Sequence, residues 1–495
     1  MILSQKLREG NLMISVYISN DISVNKNMIG YKCLEYIKNM LTFKDPNNKQ
    51  NLYCFYKIDD DNIQIPRGSI LGVKRVLKEN NKKVKWISKV TSKKLDNTPT
   101  IDDLNISLRP YQIECVQKMI DRVQGIVQMP CGAGKTTTAT VAMLMCGESS
   151  LVLTHTREIL EQWVQTIERI GGKKVRVISS ENKKISLLPL KKGEIAVGMI
   201  QTITSKIRSS DSLNMKSFLK SAGCIITDEA HHVPADQWKA IVDYVPARYR
   251  WGLTATPDRS DGLGFMLNVF IGPLLYKVST KFLIESRYLQ SPTIVPVSTG
   301  YTPSKTDYGY IKGNRNTLNY TKAVSSICKD KDRNRIIREL IISAYKKKRQ
   351  TLVLVSRKSN ASTIYKMLSK VGIKSCVMTS DVSSENRDLA LKLFRRGSVK
   401  VIIATQLADE GLDVPNIDCI VAASPAKHHG RVLQRVGRAL RLGGSDPVIF
   451  DLVDEQEFRY QFNHRRRSYM KEYGNVVLSE HNVKDAIFYM DMISK

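Results

Sequence analysis

Short apolar runs recur along the chain and alternate with stretches whose apolar residues return at helical spacing. Between residues 106 and 280 the runs include Ser150–Thr154, Glu194–Gly198 and Cys224–Thr227, and the span from Arg157 to Arg169 has the helical period. A short run without polar alternation predicts a strand buried on both faces, and strands alternating with helices predict a doubly wound parallel sheet. The pattern returns at Leu352–Ser356, Val401–Ala404, Cys419–Ala423 and Val448–Leu452, predicting a second sheet of the same kind. The first hundred residues differ. They mix lysine, asparagine and aspartate with the β-like runs Leu52–Ile58 and Ile63–Ile65, which are separated by the turn Asp59–Asn62. Pro66-Arg67-Gly68 ends the second run, and the polar stretch Ser92–Pro99 closes what reads as a small separate domain. Ser298–Asn334 is polar, rich in Tyr, Lys, Asn and Gly, and short of apolar periodicity, so it reads as an interdomain connector. Near the end, His464–Tyr473 is a basic helix candidate that suits either phosphates or solvent.

Local chemistry sits at the ends of these runs. After Gly125–Met129 comes Pro130-Cys131-Gly132-Ala133-Gly134-Lys135-Thr136-Thr137. Gly132 and Gly134 let the backbone turn its N–H groups inward, Lys135 can reach β and γ phosphates, and the Thr136 hydroxyl can ligate magnesium. The usual first glycine of such a loop is Met129 here. The run Cys224–Thr227 delivers Asp228 and Glu229 at its C-terminal end, where an open α/β sheet places its chemistry. In a nucleotide hydrolase Asp228 would hold magnesium through water and Glu229 would orient and deprotonate the attacking water. In the second half, Gln434 opens a string in which Arg438 and Arg441 lie three apart and share a face if helical. Alone the string reads as a solvated basic helix; together with the other two pieces it reads as arginines that stabilise phosphoryl transfer.

Composition narrows the class. The 495 residues suffice for about three domains, and the net charge of +30, from 77 Lys and Arg against 47 Asp and Glu, points to a polyanionic partner. No apolar run approaches the roughly 18 residues of a membrane span, and Met1–Gly10 lacks the apolar core of a signal peptide. The expectation is an unexported, intracellular protein, cytoplasmic or, from a eukaryotic or viral source, nuclear or in a viral factory. Nine scattered cysteines contain no Cys-x-x-Cys pair and match reduced thiols. The pairs His231-His232 and His428-His429 are not read as metal sites, because adjacent side chains diverge.

From Leu108 to Asp454 the motifs, in order, resemble those of superfamily 2 helicases, and the phosphate loop and arginine string resemble the XPB-type DNA helicases and translocases with their phage and poxvirus relatives. The similar segments are Leu108–Gln112, Pro130–Thr136, Asp228–His231, Leu253–Pro257, Thr351–Arg357, Thr405–Pro415 and Gln434–Arg441. The resemblance implies two RecA-like parallel-sheet domains in tandem with a small N-terminal accessory domain, an α/β fold. Its implied limits are 1–100 for the accessory domain, 101–296 for the ATP-binding domain, 297–334 for a connector or thumb-like insertion, and 335–495 for the C-terminal helicase domain. It implies ATP and Mg2+, with Arg109, Gln112, Cys131, Ala133, Thr137, Gly411 and Asp413 joining the loop residues around the nucleotide, and Gln112 reading the adenine. His231, Thr254, Thr256 and Gln434 would couple hydrolysis to movement, and Arg157, Thr202, Arg357 and Thr405 would touch nucleic acid. Related viral and phage helicases carry a similar N-terminal domain that contacts nucleic acid. One departure stands out: the Arg-Glu-Asp motif of XPB-type enzymes corresponds here to Arg259-Ser260-Asp261, without the glutamate.

The expected activity is an ATP-dependent DNA helicase that moves 3′ to 5′ and unwinds or remodels branched DNA, with single-stranded, forked or branched DNA as partner. Translocation on duplex DNA without unwinding, an RNA helicase, and an ATP-gated binding switch are the other readings. Intact Glu229, Arg438 and Arg441 argue against the switch, since a pure binder needs no water-activating carboxylate.

Overall fold

A computed structural model describes residues 13–44, 52–54, 56–181, 185–232, 235–255, 264–304, 307–311, 314–405, 417–425, 446–474 and 477–493. The chain forms two compact units, the first made of Met1–Met129 with Gly134–Val278 and the second of Pro130–Ala133 with Ser279–Lys495. Among the described residues no helix is long and apolar enough to cross a membrane.

The first unit begins with β1 (Ile14–Ile18), β2 (Asp21–Asn25), β3 (Thr42–Lys44), β4 (Leu52–Cys54), β5 (Lys57–Ile58), β6 (Asn62–Pro66) and β7 (Val84–Ser88). Five of these form a sheet in the order β5-β6-β2-β1-β7, in which only β1 and β7 pair in parallel. Alternation sends Ile14, Val16, Ile22, Val24, Ile63 and Ile65 to one face. There they meet Cys33 and Ile37 of the helix Tyr31–Met40 and Val73, Val76 and Leu77 of the helix Ile70–Glu79. Neither helix stands out in the sequence amid so many lysines and asparagines.

Seven further strands follow: β8 (Gln124–Gln128), β9 (Ser150–Thr154), β10 (Arg176–Ile178), β11 (Ile195–Met199), β12 (Cys224–Thr227), β13 (Tyr249–Thr254) and β14 (Leu274–Lys277). They form one parallel sheet in the order β10-β11-β9-β12-β13-β8-β14. The central strands β9, β12 and β13 are buried along their whole length, as expected of strands covered by helices on both faces.

The small N-terminal sheet is fastened to this larger one. Arg67, buried after β6, donates from Nε to Gln124 Oε1 at 2.7 Å, and Gln124 Nε2 donates back to the Arg67 carbonyl at 3.0 Å. The same guanidinium donates to the carbonyls of Ser19, Ala247 and Arg248. Beside it Arg250, also buried, donates to the carbonyls of Asn20, Val245 and Phe270. Burial, and then the neighbouring Arg250 charge, hold the Arg67 guanidinium well below its usual range; burial lowers Arg250 to about 10. Phe43 stacks on Phe265 with ring centroids 4.3 Å apart, and Val269 joins the N-terminal core.

The second unit carries β15 (Thr293–Ser298), β16 (Tyr308–Ile311), β17 (Asn314–Leu318), β18 (Thr351–Val355), β19 (Ser375–Met378), β20 (Val401–Thr405), β21 (Cys419–Ala422) and β22 (Val448–Val453). Six of them make a second parallel sheet, in the order β15-β22-β21-β18-β20-β19. Within the stretch read from sequence as a polar connector, β16 and β17 pair as a hairpin and Tyr320–Lys329 is a helix. That helix buries Ala323, Val324, Ile327 and Cys328, a short apolar face that the surrounding polar residues obscure. The basic helix candidate near the end extends over Glu457–Tyr473. It buries Phe458, Phe462, Arg465, Tyr469 and Tyr473 on one face. Arg465 donates from Nε and Nη2 to Asp451 at 3.0 and 2.9 Å, so this arginine belongs to the interior and not to a phosphate-binding surface.

Gly68 marks a close backbone approach between the two parts of the first unit, since a Cβ there would collide with the Val269 and Asn268 carbonyls. Gly68→Ala should therefore cost about 1–3 kcal/mol by overpacking. Chemical denaturation followed by Trp fluorescence should show a lower midpoint for the first unit, and limited proteolysis should cut sooner in the N-terminal sheet.

Candidate nucleotide and nucleic-acid site

The parallel order of the first sheet brings the sequence motifs to one edge. β12, β13 and β8 are neighbours, so Asp228 and Glu229 after β12, Thr254 at the end of β13, and the phosphate loop after β8 lie side by side at the carboxyl ends of their strands. Gly132 and Gly134 both take positive φ of 79°, which lets the loop fold tightly before the helix Lys135–Cys146. No side chain caps that helix, so its first turn presents backbone N–H groups toward whatever the loop encloses. A Cβ at Gly134 would collide with the side-chain amide of Gln112. Gln112 is itself buried and accepts from the Arg109 backbone N–H at 2.9 Å, so the Gln112 segment is built against the loop.

Around the two carboxylates the groups form a connected cluster. Lys135 Nζ donates to the Met129 carbonyl at 3.1 Å and lies 3.9 Å from Glu229 Oε1. Glu229 Oε2 is 3.5 Å from His231 Nδ1, and Thr254 Oγ1 is 2.8 Å from the same nitrogen. His231 thus joins the motif after β12 to the end of β13. Glu229 has φ of 43°, a left-handed backbone that a non-glycine residue holds only at a cost of order 1 kcal/mol or more.

Asp228 is held on both oxygens. It is buried; its Oδ2 accepts from the Trp163 indole N–H at 2.8 Å and its Oδ1 from the Glu229 backbone N–H at 2.8 Å. Burial, and then the Glu229 charge, raise its pKa to about 6 against the lowering effects of Lys135 and the two hydrogen bonds. Such a carboxylate is poised for a cation. Among the described residues no three or more His, Cys, Asp or Glu side chains gather into a metal cage. One buried carboxylate and the Thr136 hydroxyl beside an anion-binding loop do fit a magnesium ion that takes its remaining oxygens from phosphates and water.

The nucleic-acid candidates also cluster by strand. Arg157 begins the helix after β9, and Thr202 lies in the helix after β11, the neighbouring strand. Gln201 Nε2 donates to the His155 carbonyl at 3.2 Å and ties these two loops together. Arg157 is half exposed and pairs with Glu161 at 2.8 Å and Glu181 at 3.0 Å. In the second unit Arg357 follows β18, and Thr405 ends β20, with Val355 and Thr405 opposite each other across the ladder. Cys131, Ala133 and Thr137 lie in the loop and its helix. Thr256, Gly411, Asp413, Gln434, Arg438 and Arg441 lie outside the described residues, as does Arg259-Ser260-Asp261. Trp163 was not among the residues singled out from sequence; its partner is 65 positions away, so no local string announces it.

The charge on Asp228 costs the unliganded protein stability. Its folded pKa is raised, so the penalty is absent below about 3.8, grows with pH, and is complete above about 6. Asp228→Asn removes this charge but sets its NH2 against one of the two N–H donors, so its stability relative to wild type should rise by up to about 2–3 kcal/mol between pH 4.5 and pH 7.5. Differential scanning fluorimetry of the nucleotide-free protein across a pH series would read this rise.

Comparison with known proteins agrees with this geometry. The family model described as "Type III restriction enzyme, res subunit" matches residues 105–259, and "Helicase conserved C-terminal domain" matches 332–443. A protein of Sulfolobus islandicus filamentous virus that carries the name helicase 22 is 26% identical over 97% of this chain and 87% of its own length. The DNA 3′-5′ translocase XPB2 of Sulfurisphaera tokodaii is 25% identical over 74% of this chain and 86% of its own. The XPB/SSL2 helicase/translocase subunit of Saccharomyces cerevisiae general transcription and DNA repair factor IIH is 24% identical, over 75% of this chain and 45% of its own. Among solved structures, S. cerevisiae Dbp5 bound to RNA and ADP BeF3 aligns with TM-score 0.53 at 16% identity, covering 79% of this chain and 98% of that one. The ATP-dependent Type ISP restriction-modification enzyme LlaBIII bound to DNA aligns with TM-score 0.55 at 12% identity, covering 79% and 33%. These two likenesses show the tandem RecA-like fold. The family models together span just over half of the chain and meet the motifs on the sheet edges, and the chain belongs to the superfamily 2 helicases, ATP-dependent enzymes, close to the XPB branch and its viral relatives.

Proposed function

We propose that this helicase is a DNA motor that uses ATP and Mg2+ to move 3′ to 5′ and to unwind or remodel branched DNA. The observation that carries the reading is the cluster of Lys135, Asp228, Glu229, His231 and Thr254 at one sheet edge. Bound nucleotide with its metal supplies the phosphoanhydride whose cleavage releases free energy. Gly132, Gly134 and the first turn of Lys135–Cys146 would hold the phosphates, Lys135 would offer its charge to them, and Asp228 with Thr136 would hold the metal. Glu229, whose Oε1 lies 3.9 Å from Lys135 Nζ, orients a water and takes its proton. His231, bonded to Thr254, carries a change at Glu229 to the end of β13. Gln112 and Arg109 select the base. Arg438 and Arg441, with Gln434, Thr256, Gly411 and Asp413, enter this reading from the sequence alone.

The track is proposed as DNA because two of the similar proteins are named for DNA translocation or repair, and the polarity follows the 3′-5′ of one name. Arg157 and Thr202 on the first unit and Arg357 and Thr405 on the second would grip the backbone, with a net charge of +30 adding long-range attraction. The N-terminal residues, proposed as an accessory domain over 1–100, would move as one body with the part of the proposed 101–296 domain that lies in the first unit, since Arg67 and Arg250 tie them together. The domain over 335–495 and the 297–334 insertion complete the proposed arrangement. Translocation on duplex DNA without unwinding is the second reading, favoured by the word translocase in both names.

Steady-state ATP hydrolysis measured alone and with single-stranded DNA, forked DNA, duplex DNA or RNA decides among these. DNA should stimulate the rate and RNA should not, with forks exceeding plain duplex for an unwinding enzyme and the reverse for a duplex translocase. Glu229→Gln should lose turnover by two orders of magnitude or more, and Lys135→Ala should abolish it while low-salt nucleic-acid binding persists. Retained hydrolysis in Lys135→Ala would overturn the site. DNA affinity should fall steeply between 50 and 200 mM salt, by about 10³-fold if some six phosphates are contacted.

A further inference from the structure

We infer that Trp163 is a positioning residue for the metal-holding carboxylate, an assignment that rests on the nucleotide reading of the Asp228 site. Its side chain is fully buried within the helix Arg157–Gly171, yet its one polar atom donates to Asp228 Oδ2 at 2.8 Å. With the Glu229 backbone N–H on Oδ1, each carboxylate oxygen has one protein donor, so the carboxylate plane cannot rotate without breaking a bond. Each oxygen keeps a second acceptor position free for a metal-bound water.

A purely structural account would need only an aromatic ring at this position. The hydrogen bond is a stronger requirement. Phe would keep an aromatic ring here but leave Oδ2 without its donor, whereas an indole is the one apolar side chain that packs here and still supplies an N–H. Groups that orient a metal ligand from behind commonly change metal affinity or activity by 10–100-fold when removed. The helix that carries Trp163 also begins with Arg157, the candidate backbone contact, so one rigid element joins that contact to the metal carboxylate.

The test is nucleotide binding, read by the fluorescence of mant-ADP with the full-length protein, in Mg2+ and in EDTA. Trp163→Phe should raise the Kd about 10–100-fold in Mg2+ and leave it within about twofold in EDTA. In an Asp228→Asn background the same substitution should have no further effect. Equal weakening in Mg2+ and EDTA, or equal loss in both backgrounds, would make Trp163 a packing residue; an unchanged Kd in Mg2+ would overturn the assignment as well. If Trp163→Phe does not fold, 3-benzothienylalanine at 163 keeps the ring shape and replaces N–H by sulfur, with the same expectations. Wild type that binds no mant-ADP would sink the nucleotide reading itself, whereas wild type with Mg2+-dependent binding and an unaffected variant would sink only the role of Trp163.

Discussion

The first unit is organised around one buried carboxylate. Asp228 stands at the end of a strand covered on both faces, where a charge is costly, and its raised pKa is the measure of that cost. What makes the charge tolerable is the Lys135 ammonium across from Glu229, the Trp163 N–H behind and the backbone N–H of Glu229 alongside. Stability is given up where a cation can recover it. The left-handed Glu229 belongs to the same arrangement, because the chain must turn sharply after Asp228 to present two successive carboxylates to one cleft.

Buried guanidinium groups serve as fasteners elsewhere. Arg67 and Arg250 join the N-terminal sheet to the larger one through carbonyl acceptors and Gln124, with Asp21 and Asp243 supplying the nearby negative charge for Arg250. In the second unit Arg333 donates to Asp454 and to the Ala423 carbonyl, and Arg465 donates to Asp451. Arg67, Arg250 and Arg333 each span several acceptors from different elements, which a fork of five donors does and an ammonium does not. A strongly basic chain thus uses part of its excess charge inside, so not every arginine in a basic stretch is available to a phosphate backbone.

Much of the candidate site was legible because its parts are local strings at the ends of apolar runs. Gly132 to Thr136 and Asp228-Glu229 announce themselves within a few residues, and buried parallel strands give the same apolar signal wherever they lie. The helices over Tyr31–Met40, Ile70–Glu79 and Tyr320–Lys329 were harder to read, since each buries only a few apolar residues among many polar ones. Arg465 was misleading for the opposite reason: a run of three arginines looks like a surface, and only Asp451, fourteen positions away, shows that one of them is interior.

By itself the sequence determined the two parallel sheets, the order of the motifs and the chemistry of the phosphate loop, because periodicity and short strings are properties of neighbouring residues. Tertiary structure alone decided that Thr254 meets His231, that Trp163 holds Asp228, and that Arg67 locks the N-terminal sheet in place. Those contacts join residues 23, 65 and 57 positions apart, and their partners are chosen by strand order, which no local pattern encodes.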